Sequence, residues 1–225
     1  MQVKENSELI NRQGQHQRPT FITVLPTFGM IPVEHHIATL RMANPTNARS
    51  SIFTVKGEEI AGARNMAVEA ILNMEVLPEY IFFFGDDMIP EWDALVKLYD
   101  EAVKGKWDVL AALYFMKADG VPRPIMWRES GSGCLQEGID YQLGEVVLSD
   151  VAGMDFTLIR PEIFYKISKP WFKTGPTPDA DGLSFWTHTE DSFFCRKAIQ
   201  EANARIGVHT GVRVAHLCTQ TGELY

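Results

Sequence analysis

The segment Tyr80-Ile81-Phe82-Phe83-Phe84-Gly85-Asp86-Asp87 leaves this chain few architectures to choose from. Five consecutive bulky apolar residues without polar alternation fit a strand covered on both faces, as in the middle of a sheet flanked by helices. The two carboxylates that follow then fall at the carboxyl end of that strand, where open α/β sheets bind their ligands. Neighbouring bare carboxylates repel each other. A hard divalent cation such as Mn²⁺ or Mg²⁺, completed by substrate phosphates and water, resolves that repulsion. The alternative is a solvated turn in which Asp87 caps a helix beginning at Pro90.

Strand and helix patterns alternate around this segment. Residues 21–25 and 51–55 read as strands, and residues 34–42 as a helix. Residues 58–73 form a second helix, with Ile60, Ala63, Ala67, Ala70 and Ile71 on one face. A helix from Pro90 to about Val103 and a buried strand over 109–113 continue the alternation. The expectation is an α/β fold with a mostly parallel sheet and helices on both faces. Beyond Phe115 shorter strands, near 124–127 and 145–151, are separated by Ser130-Gly131-Ser132-Gly133 and predict a small antiparallel extension. A short helix over 161–167, a Pro-, Gly- and Asp-rich loop over 173–189, a helix over 191–202 and a strand over 206–216 complete the chain. Residues 1–18, polar and without apolar period, are expected to be a flexible arm, and 19–225 one domain.

Composition excludes several classes. The longest apolar run is far shorter than the roughly 20 residues of a membrane span, and the polar start has no signal-peptide core. Three cysteines without CxxC spacing indicate neither a disulfide framework nor a zinc knuckle, which suits a reducing cytoplasm. A net charge of −8 provides no footprint for tight nonspecific nucleic-acid binding.

Six short motifs occur in a telling order: Leu25-Pro26, Ala63-Arg64-Asn65, Phe84-Gly85-Asp86-Asp87, Val151-Ala152-Gly153-Met154-Asp155-Phe156, Thr189-Glu190-Asp191 and Val214-Ala215-His216. Together they resemble the GT-A (Rossmann-like) glycosyltransferases, particularly small phage and bacterial members near the inverting family. The resemblance implies transfer of a hexose or pentose from a nucleotide-diphosphate sugar, UDP- or GDP-linked, to an acceptor hydroxyl on a glycan or a hydroxylated phage DNA base. It implies donor contacts at Pro26, Arg64, Asp86 and Asp87, and a Mn²⁺ or Mg²⁺ site at Asp87 and His216. Acceptor contacts would come from Gly153 and Asp155, on the antiparallel side. Asp191 would be the catalytic base of an inverting reaction, with Glu190 as the fallback. Many relatives carry Asp where this chain has Gly85, which leaves Asp86 as a ribose-facing carboxylate or a ligand through water.

Other residues are read from their surroundings. Trp186, in an aromatic segment of the polar loop, is a further acceptor-contact candidate, whereas Trp171 reads as core and Asn65 as structural. His35 and His36 read as exposed helix residues. Two other functions compete. A nucleotidyltransferase calls for a Gly-rich phosphate loop after the first strand, where this chain has only Leu25-Pro26-Thr27-Phe28-Gly29. A noncatalytic nucleotide-sugar-binding module would need no base at Asp191.

Overall fold

The computed structural model describes residues 19–118, 121–130, 135–178 and 185–225. The first half of the chain runs β1 (Phe21–Thr27), α1 (Val33–Arg41), β2 (Ser50–Lys56), α2 (Ile60–Leu72), β3 (Tyr80–Phe84), β4 (Met88–Pro90), α3 (Ala94–Gly105) and β5 (Val109–Leu113). Short strands follow: β6 (Phe115–Ala118), β7 (Val121–Pro124), β8 (Met126–Ser130), β9 (Leu135–Gly138), β10 (Val146–Leu148), β11 (Val151–Ala152) and β12 (Phe156–Ile159). The chain ends with α4 (Ile163–Lys166), β13 (Gly175–Pro178), β14 (Phe185–His188), α5 (Glu190–Ala202) and β15 (Ile206–His216).

The central sheet has the order β10-β15-β5-β12-β3-β1-β2. β1 is parallel to β2 and β3, and β15 to β5, while β12 lies antiparallel between β3 and β5 and β10 antiparallel beside β15. Every residue of β3 is buried. Its side chains alternate across the sheet. Ile81 and Phe83 join a core that includes Ala67 and Ile71 of α2 and Phe194 and Ala198 of α5. Tyr80, Phe82 and Phe84 join a second core with Leu95 and Leu98 of α3, Leu110, Tyr114 and Phe156. Two covered faces explain why the run is continuous.

Helix boundaries follow local chemistry. The Glu59 side chain accepts from Gly62 N at 3.1 Å and caps α2. α3 and α5 stop where Lys106 and Asn203 take left-handed backbone, with φ of 52° and 51°.

Three expectations change. Pro90 does not open a helix: Met88–Pro90 pairs antiparallel with the end of β15, with Pro90 opposite Val214 at the strand terminus, and α3 begins at Ala94. The residues after Asp155, to which the sequence pattern assigns no element, form a central strand, β12. Part of the 173–189 stretch is a hairpin of β13 and β14. Residues 1–18 and the expected glycine-rich turn at 131–133 lie outside the described residues. Among the described residues, no helix is long and apolar enough to cross a membrane.

The ring of Phe82 packs against Phe84 at 5.5 Å and Phe156 at 4.9 Å between centroids, in the core that α3 covers. Phe82→Ala is therefore expected to lower unfolding stability by about 3–5 kcal/mol in urea titrations. A loss below about 1 kcal/mol, the size of a surface effect, would mean that this face is not closely packed.

Candidate active site

The chain leaves β1 for β2 on one side and β3 on the other, which opens a crevice at the carboxyl ends of β1 and β3. Thr27 closes β1 there, and its side chain hydrogen-bonds the Asp86 carboxyl. Burial raises the Asp86 pKa above the usual carboxylate range, against the opposing pull of that hydrogen bond. The turn is braced from below. The His35 ring is buried, packs on Phe84 at 4.6 Å and donates Nδ1–H to the Met88 carbonyl at 2.8 Å. Sequence reasoning placed His35 with His36 on the exposed face of α1; only His36 is exposed.

His216 reaches the same turn from the other end of the chain. The pairing of β15 with β4 sets His216 opposite Met88, and Leu217 N donates to the Asp87 carbonyl at 2.9 Å. The imidazole Nε2 lies 3.1 Å from Asp87 Oδ2, and Nδ1 lies 3.2 Å from the Phe115 carbonyl. A carbonyl only accepts, so Nδ1 carries a hydrogen and the Nε2 edge is presented to the carboxylate. The hydrogen bond with Asp87 raises the His216 pKa. A carboxylate and an imidazole held face to face, the latter oriented by a backbone carbonyl, are a fitting donor pair for a divalent cation that takes its other ligands from substrate and water. A cleft of about 530 Å³ opens over the pair, with Lys117, Thr219, Gln220, Thr221 and Tyr225 among its walls.

A second cluster adjoins the first. Arg64 of α2 is only 1% exposed, and its guanidinium binds three carboxylates at 2.7 Å each: Nη2 to Asp155 Oδ1, and Nη1 to Glu190 Oε1 and Asp191 Oδ1. Burial opposes the guanidinium charge, but the three acids outweigh it and raise the Arg64 pKa. Asp155 also takes a hydrogen bond from the Tyr114 hydroxyl at 3.2 Å, and Asp191 Oδ2 accepts from Met154 N at 3.3 Å. Burial raises the pKa of Asp155, and that of Asp191 more strongly, against the pull of Arg64. The charges of Glu190 and Asp155 raise Asp191 further. The charges of Asp87 and His216 both act on Asp155, so the two clusters form one electrostatic unit.

The expected residues thus divide. Asp86, Asp87 and His216 meet at the crevice, and Arg64, Asp155, Glu190 and Asp191 meet beside it. Arg64 departs from the expected donor contact: its hydrogen bonds go to the neighbouring acids, and it is sealed from solvent. Pro26 is buried in β1 opposite Val55 and beyond the reach of β3, whose pairing ends at Val24, so its missing N–H breaks no ladder bond there. Gly153 is required by packing: an added Cβ would lie 2.1 Å from the Tyr114 hydroxyl. Asn65 is structural, bonding the backbone of Trp171 and Phe172, and Trp171 is core. Trp186 lies on β14, but its side chain is outside the described residues. Sequence reasoning missed Thr27, Tyr114 and Lys117. The available signal was position, since Thr27 and Tyr114 stand at the carboxyl ends of two central strands.

The cluster makes a pH-resolved prediction. Asp155 and Asp191 have raised folded pKa values, so their contribution is fully present below their unfolded value of about 4 and is lost as pH rises through the folded values. Arg64→Met leaves these acids buried without their cation. It is expected to cost about 3–5 kcal/mol near neutrality and less as the pH is lowered to 5, because protonation of the raised acids relieves the uncompensated charge. Urea titrations at both pH values check this, and an equal loss at both would contradict it.

No protein-family model matches the chain, and no curated protein matches it in sequence. Solved structures do. A197 from STIV superposes with a TM-score of 0.60 at 15% identity, over 92% of this chain and 93% of that one. GalNAc-T7, crystallised with UDP, GalNAc and Mn²⁺, superposes with a TM-score of 0.57 at 11% identity, over 88% of this chain but 43% of its own length. With its mostly parallel sheet, flanking helices and small antiparallel sheets, the chain has the GT-A glycosyltransferase fold.

Proposed function

We propose that this chain is a metal-dependent glycosyltransferase, moving a sugar from a UDP- or GDP-linked donor to an acceptor hydroxyl. The observation that carries this reading is the 3.1 Å apposition of Asp87 and His216 at the carboxyl end of β3. The GT-A fold supports it, as does the presence of UDP and Mn²⁺ in the GalNAc-T7 structure.

Asp87 and His216 would hold Mn²⁺ or Mg²⁺, which when bound offsets the charge that grows on the diphosphate as the sugar–phosphate bond breaks. Asp86, beside Thr27 at the end of β1, faces the nucleotide side of the crevice as the ribose contact. Asp191 acts as the base that takes the acceptor hydroxyl proton, with inversion at the anomeric carbon. Burial and Glu190 lift its proton affinity above that of a surface aspartate, which suits a base working near neutral pH. Glu190 is the fallback base, and Arg64 is a positioning residue for both. Asp155, at 29% the most exposed side chain of the three bound to Arg64, would accept a hydrogen bond from an acceptor hydroxyl, with Gly153 and Trp186 as the further acceptor-side residues. The net charge of −8 favours a glycan acceptor over a DNA base. Cys195 and Cys218 are both free thiols, in keeping with a reducing cytoplasm.

Incubation with UDP- and GDP-sugars tests the reading. Turnover is expected to need Mn²⁺ or Mg²⁺ and to release nucleoside diphosphate; release of pyrophosphate would make the chain a nucleotidyltransferase. Asp87→Ala is expected to abolish the metal dependence together with the activity. Asp191→Asn is expected to retain donor binding while the transfer rate falls by about 10²–10⁴-fold, the usual worth of a general base. Undiminished transfer by Asp191→Asn would remove Asp191 from the mechanism.

A further inference from the structure

The cleft beside Asp87 and His216 has a second wall, built by the last residues of the chain. After His216 the backbone turns back on itself. His216 and Tyr225 exchange both backbone hydrogen bonds at 3.0 Å, Leu217 bridges Leu224, and Gly222 N donates to the Cys218 carbonyl at 2.7 Å. This return brings Thr221, Glu223 and Tyr225 against Lys117 of β6.

Three donors then converge on a single oxygen. Glu223 Oε2 accepts from Lys117 Nζ at 2.9 Å, from the Tyr225 hydroxyl at 2.6 Å and from Thr221 Oγ1 at 3.3 Å. The Tyr225 hydrogen bond and then Lys117 hold the Glu223 carboxyl down at about 2, so this oxygen is anionic throughout the physiological range. An ammonium, a phenol and an aliphatic hydroxyl around one anionic oxygen are equally suited to a phosphate oxygen. All three donors line the cleft that holds Asp87 and His216. The Glu223 side chain is half exposed, so moving it into solvent would break these three hydrogen bonds but uncover no core.

We propose that Lys117, Thr221 and Tyr225 form an anion subsite for the donor's diphosphate, and that Glu223 is an internal carboxylate which this diphosphate displaces. The inference rests on the donor reading above and deepens it. Asp87 and His216 take one side of a cation-bound diphosphate, and Lys117 supplies a further positive charge from β6 on the other. Glu223 keeps Lys117 in place beforehand and competes with any weaker anion, so the cleft favours ligands whose phosphate charge exceeds that of one carboxylate.

Calorimetric titration of UDP in the presence of MnCl₂ tests this on the full chain and on Lys117→Gln, Tyr225→Phe and Glu223→Gln, with Mn²⁺ alone followed by electron paramagnetic resonance. Lys117→Gln is expected to weaken UDP about tenfold or more, the worth of a charge-assisted hydrogen bond, and Tyr225→Phe by a smaller factor. Glu223→Gln is expected to tighten UDP, because the internal competitor loses its charge. Binding of Mn²⁺ alone is expected to stay unchanged in all three. Inorganic pyrophosphate should show the same loss in Lys117→Gln; a loss confined to UDP would move the contact to the nucleoside and overturn the proposal. Unchanged UDP affinity in Lys117→Gln, weaker binding in Glu223→Gln, or loss of Mn²⁺ alone in Lys117→Gln would each overturn it too. If the unaltered chain takes up neither UDP nor, in a parallel titration, GDP with Mn²⁺, the donor reading falls and this subsite with it. If it does and the variants match it, only the subsite falls.

Discussion

One buried guanidinium ties together the segments that surround the crevice. Arg64 enters from α2 and binds Glu190 and Asp191 at the start of α5 and Asp155 just before β12, so a single planar cation fixes three chain segments far apart in sequence. Its burial is tolerable only because the partners are charged and close; an isolated buried charge costs far more than any contact nearby returns. The fork geometry of the side chain explains why arginine and not lysine serves here, since two carboxylates share Nη1 while a third takes Nη2. The rings of Phe83 and Phe172 lie within 5.8 Å of the guanidinium carbon and wall it off from water.

Geometry spreads outward from that cation. With Asp155 fixed, its carbonyl accepts from Gly85 N at 2.8 Å, and its Cβ would stand 2.9 Å from any Cβ at position 85. Glycine at 85 is therefore a steric requirement of this Asp155, which accounts physically for the missing first acid of the motif. Tyr114 is wedged in the same way under Gly153, donating to the Asp155 carboxylate while its oxygen accepts from Asp155 N at 3.1 Å. The two glycines and the tyrosine form one packing arrangement whose product is the placement of one carboxylate between the Arg64 cluster and the Asp87–His216 pair.

Much of this was legible in the sequence, for identifiable reasons. The continuous run Tyr80–Phe84 announced a central strand because both of its faces are covered, and the apolar face of α2 announced a helix on that sheet. β12 escaped notice because a run of only four residues carries no period of its own; its place between β3 and β5 is decided by pairing partners distant in the chain. Pro90 obeyed a local preference that the pairing of β4 with β15 overrode. An arginine on a helix could be seen, but not that its partners Glu190 and Asp191 lie 126 and 127 positions away. The meeting of Asp87 and His216 was reachable only through the order of motifs, because no local pattern links residues 129 positions apart.

The crevice is also preorganised around Asp87. Leu217 N grips the Asp87 backbone, His216 grips its side chain, and the Phe115 carbonyl sets the imidazole orientation, so one strand end fixes Asp87 at two points. His35 holds the next turn residue through the Met88 carbonyl. Side chains held by backbone partners lose little further freedom when a ligand arrives, which is the condition for tight ion binding. Yet the same region is rich in acid: the carboxyl groups of Asp86, Asp87, Asp155, Glu190, Asp191 and Glu223 outnumber the basic groups Arg64, Lys117 and His216. A rigid site with unbalanced negative charge is poised for a cation rather than for a bare anion. An anionic ligand entering this region meets that excess of carboxyl groups unless a cation or a group such as Lys117 offsets it, a constraint that follows from the charge arrangement of the folded chain itself.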